Sequence, residues 1–188
     1  MSRGFVKTTR FAAVTALTGL LALAACDRAA KSPEAPAATK AAAFKHDLPE
    51  DVSGYYLPTE EVRIDNWRLH HVFMGQVPDF IAWEGGQRPA GFAPVMIEFE
   101  DMVGPPLESG NRRRLRLIPA GYDVTEDRVR VQALSGGLGA VSFDGKLDQG
   151  ALAMARRNLG DQGVVLKGTL KVGNRTFNNV SMRWWAGD

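Results

Sequence analysis

The chain has 188 residues, 23 Lys+Arg against 21 Asp+Glu, and a single cysteine. A balance this close to neutral leaves no electrostatic footprint for nucleic acid. One cysteine excludes an internal disulfide framework, so any fold must stand on its hydrophobic core.

The first residues fall into three zones: a basic start with Arg3, Lys7 and Arg10, an apolar stretch from Phe11 to Ala25, and a small-residue cleavage site. That order is the pattern of a signal peptide. The apolar stretch is about 15 residues long, short of the roughly 20 that a membrane-spanning helix needs. The run Leu23-Ala24-Ala25-Cys26 resembles the lipobox of bacterial lipoproteins. The resemblance covers residues 1–28 and implies cleavage before Cys26 and diacylglyceryl modification of its sulfur. Two or three acyl chains hold far better than one, so the implied partner is a membrane and the implied location is the cell envelope, facing the periplasm. Inner and outer membrane both stay open. Loss of the leader removes three bases and no acids, leaving 20 Lys+Arg against 21 Asp+Glu.

Residues 26–47 then read as the lipidated cysteine and an Ala/Pro-rich tether that includes His46, with too little apolar surface to build a core. Residues 48–188 read as a single β-rich domain. Its first clear strand is Trp67 to Phe73, where strict alternation places Trp67, Leu69, His71 and Phe73 on one face. A short helical turn follows at Asp79 to Glu84, closed by Gly85-Gly86. Val95, Ile97 and Phe99 alternate against Met96, Glu98 and Glu100. Past the Gly104-Pro105-Pro106 loop, Arg112, Arg114 and Arg116 alternate against Arg113, Leu115 and Leu117. Val129, Val131 and Ala133 mark another strand. A helix is expected near residues 148–159, capped by Asp148, with Leu152, Ala155 and Leu159 on one side and Gly160 as terminator. The chain ends in a hairpin, Leu166 to Val172 and Arg175 to Trp185 around Gly173-Asn174, with a bulge near Asn178-Asn179 where the apolar phase slips. The fold class is mainly β, an antiparallel sheet forming a barrel or sandwich with one inserted α-helix.

No complete catalytic set, cofactor motif or metal site emerges from the spacings. Neighbours on a regular strand point to opposite faces, so His70 and His71 are not expected to share an ion, with His71 in the core and His70 wet. Ser135 lacks a following histidine and reads as part of a glycine-rich loop. Glu98 and Glu100 are expected to form a charge ladder with Arg112, Arg114 and Arg116 rather than an acid pair. The candidate binding surface comprises those arginines with Trp67, Trp83 and Trp185. Tyr55 and Tyr56 could join it. These features favour a non-catalytic binding or scaffold module for an envelope protein or wall polymer, ahead of an apolar-ligand carrier with a barrel cavity or a wall-glycan enzyme using paired carboxylates such as Glu98 and Glu100. If Cys26 carries the anchor, Cys26→Ala leaves uncleaved precursor that no longer incorporates a palmitate analogue. Labelling of the mutant as strong as wild type would refute the anchor.

Overall fold

The computed structural model describes residues 43–187. Cys26 and the lipobox residues Leu23, Ala24 and Ala25 lie outside the described residues, as does most of the tether. In chain order the elements are β1 (Phe44–Asp47), β2 (Gly54–Pro58), β3 (Arg63–Ile64), β4 (Trp67–Met74), α1 (Val77–Glu84), β5 (Val95–Asp101), β6 (Arg114–Leu117), β7 (Pro119–Thr125), β8 (Arg128–Ser135), β9 (Gly139–Leu147), α2 (Gln149–Arg157), β10 (Leu166–Val172) and β11 (Arg175–Trp185). The strands form one eleven-stranded sheet in the order β1-β7-β8-β9-β10-β11-β2-β4-β5-β6, with β3 hydrogen-bonded to β4. The sheet curls into a half-barrel.

The mainly β class holds, with corrections of detail. The sheet is mixed, because β1 pairs parallel to β7, Phe44 opposite Tyr122 and His46 opposite Val124. This strand lies in the stretch read as the end of the tether. It is held there by the Phe44 ring, edge-on to Tyr122 at 5.2 Å, and by His46, whose Nδ1 stands 2.9 Å from Glu84 Oε1. Glu84 Oε1 also accepts the Tyr122 hydroxyl at 3.0 Å, which ties β1, β7 and α1 together.

There are two helices among the described residues rather than one. In α1 the Gln76 backbone N–H donates to Asp79 Oδ2 at 2.8 Å, and Pro78 sits in the first turn, where a missing N–H costs nothing. Phe80 and Trp83 then enter the core. The α2 cap is the expected one, with Asp148 Oδ1 accepting from the Ala151 N–H at 2.9 Å. This helix stops at Arg157, because Asn158 leaves helical geometry while its N–H closes on the Met154 carbonyl. Leu159 is therefore exposed, not part of the buried stripe, and Gly160 does not take a left-handed conformation.

The interior is filled by large side chains from every part of the sheet, among them Tyr56, Leu69, Ile97, Phe99, Phe143, Leu170 and Met182. Each contributes about 1.5–3 kcal/mol by leaving water. The terminal hairpin carries its extra residue where the sequence places it. Gly168 faces Val180 but Leu170 faces Phe177, and Asn179 takes φ 59°, a conformation asparagine tolerates. No described helix is long and apolar enough to cross a membrane.

β9 and β10 leave no room for a side chain where Gly145 pairs with Gly168. A Cβ on Gly168 would stand 2.6 Å from the Gly145 Cα and 2.8 Å from the Phe143 ring. Gly168→Ala is expected to lower stability by about 1–3 kcal/mol through overpacking, read as a shift in the urea midpoint with the slope unchanged. An unshifted midpoint would show that the two strands can separate there without loss.

Candidate functional site

The centre of the candidate site is β4, and its geometry departs from simple alternation. Leu69 pairs with Phe99, but the next pair is His71 with Glu98, so His70 is an inserted residue. Before this bulge the core-facing residue is Leu69; after it the fully buried residues are Val72 and Met74. The insertion turns His70 and His71 to the same side of the sheet, the outer side, with Arg68 and Phe73. Their Nδ1 atoms stand 2.6 Å apart, one donating and the other accepting. The expectation that the two histidines face opposite ways is thus corrected: His71 is buried, but among outer-face polar and aromatic groups rather than beside Trp67 and Leu69.

Around this pair the outer face is built from four other strands. From β5 comes Glu98, only 1% exposed. The edge strand β6 supplies its charge partners: Arg114 Nη1 donates to Glu98 Oε1 at 3.1 Å and Arg116 Nε to Oε2 at 3.0 Å. Glu100 pairs with Arg68 at 2.5 Å. The Tyr55 ring of β2 meets His71 edge-on at 4.9 Å, and the Trp185 ring of β11 lies 5.5 Å from Tyr55. Tyr55, His70, His71, Arg114, Arg183 and Trp185 line one open cleft of about 710 Å³.

The electrostatics follow from burial and charge count. Burial pushes His71 down to about 4, with His70, Arg114 and Arg116 acting in the same direction and Glu98 against it. His70 is also lowered, first by burial and next by Arg114. Both imidazoles are therefore neutral near pH 7. The fixed charges facing them are Arg68, Arg114 and Arg116 against Glu98 and Glu100, and Arg183 adds a further cation to the cleft wall. Arg183 makes no ion pair or side-chain hydrogen bond among the described residues. The cleft carries excess positive charge.

Of the residues singled out from the sequence, the structure gathers Arg114 and Trp185 into this cleft, while Arg116 is paired with Glu98 and does not line it. Arg112 precedes β6, outside the ladder, and donates to the Asp101 carbonyl at 3.3 Å. Trp83 is a core residue, 4% exposed, which removes it from the candidate surface. Trp67 is half-buried against the core with the Arg113 guanidinium 5.7 Å from its ring centre. Tyr56 is fully buried and donates to the Val52 carbonyl. Ser135 Oγ accepts from the N–H groups of Gly137 and Leu138, as a turn residue does. Asp101 closes the β5 end. Its carboxyl is held below the usual range by the Gly104 and Val103 N–H groups and by Arg113.

A second concavity, of about 730 Å³, lies on the outer side of β8 to β11 and is lined by Arg128, Arg130, Lys146, Lys167 and Lys171 with Asp144. It holds no aromatic side chain reaching past the sheet except Phe143, whose ring belongs to the core.

Removing the Glu98 charge strands two guanidinium groups. Breaking a buried pair costs roughly 3–5 kcal/mol, less where the partners are half in water, as Arg114 and Arg116 are at 45% and 50% side-chain exposure. Glu98→Gln is expected to cost about 1–3 kcal/mol in urea unfolding, more than Glu100→Gln. Equal, negligible losses would mean that the ladder does not hold β6. No family model, curated protein or solved structure matches the chain.

Proposed function

We propose that the chain is a lipid-anchored, periplasm-facing envelope protein whose β domain binds an anionic, ring-bearing wall component in the outer cleft without transforming it. The lipobox-type leader supports the anchor. The cleft carries the binding reading: Trp185, packed at a tilt against Tyr55, offers a face for a sugar ring, beside Arg114 and Arg183, which match a carboxylate or phosphate.

The rival readings have less support. An apolar-ligand carrier needs interior space, and the inward positions are taken by Tyr56, Phe99, Phe143 and Leu170. A two-carboxylate glycosidase needs a free acid and a free base. Glu98, Glu100 and Asp101 are each engaged by arginine.

Fluorescence titration with carboxylate-bearing wall-glycan fragments tests the proposal. Trp185→Ala and Arg183→Ala are each expected to weaken binding about tenfold, the loss of one good stacking or ionic contact, and added salt is expected to weaken it further. Binding that ignores both substitutions would place the ligand elsewhere. Absence of any glycan binding by the folded protein would overturn the assignment.

A further inference from the structure

We infer that His70, His71 and Glu98 form a site for a divalent transition-metal ion of the zinc type, at the floor of the cleft. The donor atoms of the three residues all lie within 4.8 Å of one another. Tetrahedral zinc at about 2.0–2.1 Å from each nitrogen sets its donors roughly 3.3 Å apart. The two Nδ1 atoms, 2.6 Å apart, need only small side-chain rotations to open to that spacing.

Two features distinguish this cluster from a chance meeting of polar groups. The first is the bulge. A regular strand keeps adjacent histidines on opposite faces, and here one inserted residue aims both at the same point. The second is the support behind Glu98. Each of its oxygens accepts one arginine N–H and retains a second lone pair. Hydrogen bonds that fix a ligating carboxylate from behind are a regular part of metal sites.

Two imidazoles and a carboxylate form the donor set of open, four-coordinate zinc centres, which leaves one position free. That position would face the cleft. The arginines near Glu98 repel a cation, so the site is weaker than one without them, and an anion at the free position offsets that repulsion. This inference stands on the three side chains and does not depend on the cleft's organic ligand being a wall glycan.

The test uses purified protein without a polyhistidine tag and Zn²⁺ as the probe. Calorimetry is expected to show one saturable Zn²⁺ site per chain, weakened at least about tenfold in the double variant His70→Gln/His71→Gln, whose folding is checked by circular dichroism. X-ray absorption of the zinc-loaded wild type is expected to show two imidazole ligands, and it decides the matter should the variant fail to fold. A folded wild type with no one-to-one Zn²⁺ binding, an undiminished affinity in the folded double variant, or an absorption spectrum with fewer than two imidazoles would each reduce the pair to a hydrogen bond between histidines and overturn the site.

Discussion

Strand β4 has to bury both of its halves while lying between β2 and β5, and its sequence does not keep one phase. Leu69 is an odd-numbered core residue, whereas Val72 and Met74 are even-numbered ones, all at 1% exposure or less. A strand with a strict period of two cannot satisfy both. Without the insertion at His70, either Leu69 faces water or Val72 and Met74 do, and an imidazole takes a place in the apolar interior. Each misplaced aliphatic side chain forfeits about 1.5–3 kcal/mol. The bulge avoids that loss by leaving one residue unpaired.

Everything distinctive about the outer face follows from that choice. With both histidines turned outward beside Glu98, a buried carboxylate and two buried or half-buried rings share one patch of sheet. The carboxylate must be compensated, and the nearest source is the edge strand β6, where Arg114 and Arg116 alternate with Leu115 and Leu117. The same arginines protect an edge that would otherwise offer unpaired backbone to another chain. Arg116 also donates to the Gly91 carbonyl at 3.1 Å, and Phe92 packs on Phe73, so the segment between α1 and β5 is fastened over the patch. Compensation overshoots, and the cleft is left positive.

Much of this architecture was legible in the sequence, and the failures share a cause. β4, β5, β8 and the terminal hairpin show their alternation openly, as does the Asp148-capped helix. The ladder of Glu98 with Arg114 and Arg116 follows from placing two alternating runs side by side. β9 alternates as well, Val141, Phe143 and Leu147 buried against Ser142, Asp144 and Lys146, but its Gly139 and Gly145 read as turn residues; β2, β3 and β7 carry a weaker signal, since β3 is two residues long and Pro119 and Gly121 interrupt β7. Gly145 is there for close packing against the Phe143 ring, and Gly139 takes φ 73°, a conformation glycine adopts freely. β1 is indistinguishable from the tether in the sequence, because four residues in parallel pairing have no local signature. Strict alternation over Trp67–Met74 separates the two histidines, although the phase slip from Leu69 to Val72 is visible in the sequence and is the mark of a bulge. Arg183 was equally readable, two residues before Trp185 on the same row of β11.

The positive cleft also constrains the two proposals it carries. A metal ion at His70, His71 and Glu98 adds charge to a patch already short of anions, since Arg68, Arg114 and Arg116 outnumber Glu98 and Glu100. An anionic ligand at the cleft mouth removes part of that cost. By linkage, whatever the anion adds to the affinity for the metal, the metal returns to the affinity for the anion. The two occupants are then not competitors for one pocket: the anion offsets the charge that the metal adds, and each raises the affinity for the other. A wall component bearing a carboxylate is the kind of ligand that fits such coupling, because its ring can rest on Trp185 while its charge reaches past Arg114 toward the floor.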